Sequence, residues 1–391
     1  MRFGIKTLDE AQVKGRTVLC RVDINQPVDQ KTGLLKSTAR IEACVPTLKE
    51  LSDKGARLVI LAHQGSDIEY KNFYTTAPHA EVLSRLLDKK VAFIDDVTGP
   101  AARDAIKSLR EGEILLLDNV RFCAEEQTLF EQKLQLSHAQ QAKTQVVKKL
   151  APLADLYVCD AFAAAHRDQP SLCGFEQVLP SYMGRLFERE YVVISELMEH
   201  PQRPCVFVLG GAKVGDAFLM MDTVLSRGSA DQVLTGGLVA NILLAAKGEK
   251  IGQGSMDYIE QSNNAQYIQT AKELLAKHAD QIVVPQTLAY LDNGERREQA
   301  LTALPDNASA LDIGTEDARR YAEIIRQAKT VFVNGPMGVF EEAQTEHGTK
   351  IVWDALGDTQ AYTVIGGGDS KTVSIFPSSS ISCFRSSLPM V

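Results

Sequence analysis

Short apolar runs alternate with longer amphipathic stretches from one end of the chain to the other. In the first half, Val18 to Val22, Arg57 to Leu61, Ile114 to Leu117 and Leu156 to Val158 predict strands, while Arg40 to Asp53, His79 to Asp88 and Gln140 to Leu150 predict helices. In the second half, the strands are Cys205 to Leu209, Gln232 to Thr235, Thr330 to Val333 and Tyr362 to Ile365. The runs are almost continuously apolar, as expected of strands covered on both faces. Such alternation predicts an α/β fold with parallel sheets flanked by helices. Between the halves, Met183 to His200 spaces Leu186, Tyr191, Ile194 and Leu197 in a roughly helical pattern ahead of Pro201 and Pro204. We read it as a helix connecting two α/β lobes. No short-period repeat is present, which argues against a solenoid.

The residues at the strand ends carry the chemistry. In the second half the four strands run into Gly210-Gly211-Ala212-Lys213, Gly236-Gly237, Asn334-Gly335-Pro336 and Gly366-Gly367-Gly368-Asp369-Ser370. Ligands of parallel sheets bind beyond the carboxyl ends of the strands. Glycine there lets backbone N–H groups approach an anion, and the following helix adds its positive dipole end. Several such turns, with Lys213 and Asp369 among them, point to a nucleotide phosphate chain. Asp369 also suits Mg²⁺, which takes carboxylate together with phosphate oxygens. For Gly236-Gly237, close packing of strand against helix is an equally good reading. The chain has no G-x-x-x-x-G-K-[ST] motif and no complete G-x-G-x-x-G after a strand. It is therefore not a P-loop protein, and a dinucleotide oxidoreductase is unsupported.

The first half ends its strands differently. Asp23 and Asn25 follow the first strand, His63 the second, Arg121 the third and His166-Arg167 the fourth, and Arg40 opens the first long helix. In a parallel sheet these ends share one edge, and arginine forks there suit phosphate and carboxylate oxygens. One half would then hold a small phosphorylated acid and the other a nucleotide. His138, His278 and His347 have no such setting and receive no role.

Bulk properties narrow the class. At 391 residues the chain allows two domains of ordinary size. It has no apolar run long enough to span a bilayer, and MRFGIKTLDE lacks the apolar core of a signal peptide. The seven cysteines are scattered without paired metal-ligand spacing and read as reduced thiols of a cytoplasmic protein. A net charge of −8 argues against a general nucleic-acid binder.

In its segments RVDIN, RIEACVPTLKEL, LAHQG, LLLDNVRF, DAFAAAHR, VLGGAKV, TGGLVANILLAAKG, DIGTEDA, VFVNGPMGVFE and TVIGGGDS, the chain resembles the phosphoglycerate kinase family along nearly its whole length, its archaeal branch most. The resemblance implies two Rossmann-like lobes with parallel sheets, joined by an interdomain helix and closing over their substrates. Residues 1–182 would bind the phosphoglycerate, 183–200 form the helix, and 201–376 bind the nucleotide. It implies reversible phosphoryl transfer between 1,3-bisphosphoglycerate and Mg-ADP, giving 3-phosphoglycerate and Mg-ATP, by a cytoplasmic monomer or small homo-oligomer without nucleic-acid or membrane partners. Asp23, Asn25, Arg40, His63, Arg121 and Arg167 would line the acid site. Lys213, Asn334, Glu341 and Gly366 to Ser370 would line the nucleotide site, with Gly236 and Gly237 near the adenine and Glu341 near the ribose. Arg40 and Lys213 would act in catalysis.

Three departures bear on activity. Ser66 stands where the family commonly has arginine, and Ala217 where it often has a second lysine. Residues 377–391 form a serine-rich, patternless tail, reading as the product of a shifted reading frame, in place of a second glycine-rich loop and returning helix. The alternative is therefore a catalytically impaired form that binds nucleotide or phosphorylated acid without turnover.

Overall fold

The computed structural model describes residues 4–65, 73–366 and 381–383. The chain divides into two compact units, Met1–Val192 and Val193–Val391. Among the described residues, the first unit has a parallel sheet of six strands, β1 (Thr17–Val22), β2 (Arg57–Leu61), β3 (Val91–Ile94), β4 (Ile114–Leu117), β5 (Leu156–Asp160) and β6 (Ser181–Met183), in the order β3-β4-β2-β1-β5-β6. Alternate residues of β1 feed two separate cores. Val18, Cys20 and Val22 pack on one face with Ile41, Leu48 and Leu83, and Leu19 packs on the other with Val146, Tyr157 and Phe175. A strand buried on both faces has little use for alternation, which is why its sequence reads as a continuous apolar run.

The second unit repeats this scheme. Its parallel sheet is built from β7 (Cys205–Leu209), β8 (Gln232–Thr235), β9 (Ile282–Val283), β13 (Thr330–Asn334), β14 (Tyr362–Gly366) and β15 (Ile381–Cys383), in the order β15-β14-β13-β7-β8-β9. An antiparallel sheet of β10 (Thr287–Asp292), β11 (Glu295–Ala300) and β12 (Asp312–Ile313) is attached to it, with β11 on an outer edge. Asp312 anchors this addition: its carboxylate lies 2.9 Å from Arg296 Nη1 and accepts from Gly348 N at 2.7 Å.

The strands expected from sequence are present within one or two residues of their ends. The expected helix from Gln140 to Leu150 is instead two, His138–Gln141 and Gln145–Leu150. Thr144 turns extended between them, and its hydroxyl donates to Gln141 O at 2.6 Å, a local bond that competes with helix continuation. The tail expected to be patternless contributes β15, which runs parallel to β14 with Ile381 opposite Thr363. Pairing of this kind uses backbone groups alone, so no side-chain pattern announces it. The rest of residues 377–391 lies outside the described residues.

The connecting helix spans Arg185–Glu199. Its start is fixed by Asp160 at the end of β5, whose Oδ1 accepts from Leu186 N at 2.9 Å and Phe187 N at 3.1 Å. Arg185 reaches Glu50 at 2.7 Å and Asp9 at 2.6 Å. A carboxylate beneath the first amides satisfies donors that the helix leaves open. Gly184 makes room for it, since a Cβ there would meet Asp160 Oδ1 at 2.2 Å. Replacing Gly184 with Ala should push Asp160 off these amides at a cost on the order of 1–3 kcal/mol. Thermal unfolding should show a lower Tm for Gly184→Ala; an unchanged Tm would refute this account of the helix start.

Candidate functional site

In the first unit the ends of β1, β2 and β4 are tied together by their own polar side chains. Asn25 Oδ1 accepts from Gly65 N at 2.9 Å, and Arg121 Nη1 donates to Gly65 O at 2.5 Å. Asn119 and Gln64 bond reciprocally: Asn119 Nδ2 donates to Gln64 O at 2.7 Å, and Gln64 N donates to Asn119 Oδ1 at 3.2 Å. Gln64 also bonds to Gln26 and to His79. Gly65 adopts φ +81°, the left-handed region, which lets the chain turn sharply here.

Arg21 sits on β1 with no exposed surface. Its Nε donates to Ser171 Oγ at 2.9 Å, its Nη1 to Val22 O at 2.6 Å, and its Nη2 meets His63 Nδ1 at 3.0 Å. Glu126 completes the chain, accepting from Ser171 N at 2.5 Å and pairing with Ser171 Oγ at 2.8 Å. A guanidinium only donates, so His63 Nδ1 is the acceptor and the ring proton sits on Nε2. Burial, followed by the charges of Arg21, Arg121, Arg40 and Arg167, holds His63 well below the usual histidine range. His63 is thus a neutral N–H donor surrounded by four cations. Arg40 lies 2.8 Å from Asp23 Oδ2, and Asp23 Oδ1 accepts from Asn25 N at 3.1 Å. Arg167 lies 3.4 Å from Glu131 Oε2.

Asp23, Asn25, Arg40, His63, Arg121 and Arg167 therefore gather at one end of one sheet. Arg21, Glu126, Ser171, Gln64 and Asn119 support them and were not singled out from sequence. A charged residue inside the buried run TVLCRV was a usable signal, because such a charge requires a partner. Glu126 and Ser171 lie in short helical turns, Ala124–Glu126 and Pro170–Gly174, too brief for any periodicity to mark them in the sequence. Ser66 lies outside the described residues.

The second unit is built with glycine. Gly210 N donates to Asn334 O at 2.9 Å, Gly211 N to Pro336 O at 2.8 Å, Gly236 N to Leu209 O at 3.1 Å and Gly237 N to Met337 O at 2.6 Å. A Cβ on Gly210 would meet Pro336 O at 2.1 Å, and one on Gly335 would meet Gly210 O at 2.3 Å. These glycines let the ends of β7, β8 and β13 pack backbone on backbone. The amides of Gly210, Gly211, Gly236 and Gly237 are engaged by neighbouring backbone carbonyls. For Gly236 and Gly237 the packing alternative describes their contacts.

Lys213 follows directly as the exposed N-terminal boundary of the helix Val214–Ser226, and Gly236 holds that place for Gly237–Lys247. Two helix N-termini thus open at this end of the sheet. Asn334 ends β13, Gly366 ends β14, and Glu341 is exposed in the segment after β13. Gly367, Gly368, Asp369 and Ser370 lie outside the described residues.

One parallel α/β unit carries an arginine-rich strand edge, and the other carries glycine turns with a helix-start lysine, features suited to anionic ligands. Residues 8–376 match the family model for phosphoglycerate kinase. The phosphoglycerate kinase of Methanothermobacter thermautotrophicus is 45% identical over 366 residues, 94% of this chain and 87% of that protein. That of Thermococcus kodakarensis is 42% identical over 362 residues, 91% of this chain and 86% of that protein. The crystal structure of phosphoglycerate kinase from Pyrococcus horikoshii superposes with a TM-score of 0.86 at 37% identity, covering 99% of this chain and 95% of that one. The chain belongs to the phosphoglycerate kinase family.

Burial pushes Glu126 up to about 7, against the pull of Arg21 and the hydrogen bonds to Ser171. The folded protein then holds a proton that an unfolded glutamate, at 4.5, has released. The stability from this group is present below the unfolded value and lost as pH rises through the folded one. Relative to Glu126→Gln, the native protein should lose on the order of 3 kcal/mol of unfolding free energy between these two pH values. Urea titrations of both proteins across that range check this; parallel pH curves would show that Glu126 does not titrate as described.

Proposed function

We propose that this chain transfers a phosphoryl group reversibly between 1,3-bisphosphoglycerate and Mg-ADP, giving 3-phosphoglycerate and Mg-ATP. The observation that supports this most is the set of cations at these strand ends, Arg21 on His63 at 3.0 Å, Arg40 on Asp23 at 2.8 Å and Arg121 on Gly65 O at 2.5 Å, within a chain of this family. Such a pocket fits a small acid bearing phosphate and carboxylate. Arg40 and Arg121 bind its anionic groups, His63 donates its Nε2–H, and Asp23 and Asn25 orient the arginines and the turn around Gly65.

In the ATP-consuming direction the attacking group is a carboxylate, ionised at neutral pH because its pKa is near ~4. No general base is required. Catalysis rests on alignment and on neutralising charge across the transferring phosphoryl oxygens. Lys213 and the N-termini of Val214–Ser226 and Gly237–Lys247 supply that charge in the second unit, with Asn334, Gly366 to Ser370 and Glu341 contacting the nucleotide. Mg²⁺ arrives as part of the nucleotide substrate, and Asp369 is our candidate for its carboxylate partner. Substrates and products are small soluble anions, and no described helix is long and apolar enough to cross a membrane. We place the reaction in the cytoplasm.

A coupled assay with 3-phosphoglycerate and Mg-ATP tests this. Lys213→Ala and Arg40→Ala should each lower kcat on the order of a hundred- to a thousand-fold while far-UV circular dichroism stays unchanged. ADP binding without turnover in the native protein would instead favour the impaired form. Normal turnover in Lys213→Ala would remove that lysine from the mechanism.

A further inference from the structure

A second concentration of chemistry lies in the first unit, beside β5 and β6. A cavity of about 610 Å³ there is lined by Tyr157, Cys159, Cys173, His138, Asp168 and Glu176, among others. His138, without a role in the phosphoryl chemistry, is the first residue of the short helix His138–Gln141. Asp168 lies in the turn after Arg167. Cys173 belongs to the wide π-helical turn Pro170–Gly174. One nitrogen, one carboxylate oxygen and one sulfur from these residues lie within 4.8 Å of one another.

The imidazole of His138 stands between two carboxylates. Its Nε2 is 3.5 Å from Asp168 Oδ1, and its Nδ1 is 3.4 Å from Glu176 Oε1. Histidines that ligate a metal through one nitrogen usually donate the other N–H to a carboxylate, which fixes the tautomer and raises the ligand's basicity. Glu176 occupies that outer position. The supporting backbone is held as well. Gln141 Nε2 donates to Asp168 O at 2.8 Å and Asp168 N donates to Glu131 Oε1 at 2.9 Å, while the Cys173 thiol donates to Gln169 O at 3.2 Å, a bond that ligation as thiolate would replace.

We propose that His138, Asp168 and Cys173 form a Zn²⁺ site, with Glu176 orienting the histidine and water completing the tetrahedron. The donor set decides the metal. Thiolate and imidazole together favour zinc over the hard cations Mg²⁺ and Ca²⁺, which take oxygen ligands. Ligand atoms around tetrahedral zinc lie roughly 3.4–3.8 Å apart, given bonds of ~2.0–2.3 Å. Contraction by about 1 Å closes the site, within reach of side-chain torsions at His138 and Asp168, both of which are exposed. The bound ion would staple the helix His138–Gln141 to the turn Pro170–Gly174.

The test uses the full chain, stripped with a chelator and then titrated with Zn²⁺ against a chromophoric competitor. Co²⁺ serves in parallel as a spectroscopic substitute. One tightly held equivalent is expected, with a thiolate-to-cobalt charge-transfer band and strong visible absorption of tetrahedral cobalt. Cys173→Ser should abolish that band. Glu176→Gln should keep the band and weaken binding about 10–100-fold. His138→Ala should weaken binding at least as much; this exposed substitution remains decisive if circular dichroism shows that Cys173→Ser fails to fold. Failure to retain one equivalent of Zn²⁺, or binding and band unaffected by Cys173→Ser and His138→Ala, overturns the proposal.

Discussion

A guanidinium in the middle of a parallel sheet has no water to turn to. Arg21 is fully buried on β1, and the first unit is arranged around satisfying it. Ser171, the carbonyl of Val22 and His63 each accept from it, and the Glu126 carboxyl group bonds to Ser171 on the far side of that hydroxyl. Removing one member of such a set leaves a buried charge uncompensated, commonly a loss of several kcal/mol. The same constraint sets the protonation state of the site. Because Arg21 can only donate, His63 must present a lone pair to it and a proton elsewhere. A structural necessity thereby fixes the character of a residue that faces the substrate in our reading.

The second unit solves its equivalent problem without charge. Three strand ends approach so closely that side chains would not fit, and glycines make the approach possible. Hydrogen bonds from turn to turn then lock the geometry. Rigid turns of this kind present Lys213 and two helix N-termini in fixed positions. In the function we propose, preorganisation of that sort lowers the reorganisation required when charge shifts along a phosphate chain. One unit thus positions cations through a polar network and the other through backbone packing.

Much of this was legible in the sequence, and the reasons differ by feature. Buried parallel strands declare themselves through apolar runs, so β1, β2, β4, β7 and β8 could be placed to within a residue or two. β9 and β12 have two residues each, too few for any periodicity to register. The antiparallel hairpin β10–β11 carries Glu-Arg-Arg-Glu-Gln on its outer strand, which does not read as a strand by composition. In the candidate site, residues directly after strands were visible because topology gathers them at one edge. Glu126 and Ser171 were invisible because only the fold brings them to Arg21 from 105 and 150 positions away, the differences 126 − 21 and 171 − 21 in the chain numbering. The glycine runs were legible as places of close approach, and the structure shows neighbouring backbone there.

The outer strand β11 has a further consequence. A free sheet edge is a template on which another chain can add a strand. Here that edge offers Arg296, Arg297, Glu295 and Glu298 in succession, already matched into ion pairs at 2.8 and 2.9 Å. An incoming strand would have to set its own side chains beside these charges and draw them partly out of water. The appended hairpin is thereby guarded against intermolecular strand addition, and crowded solutions of the protein are protected at the one antiparallel sheet among the described residues.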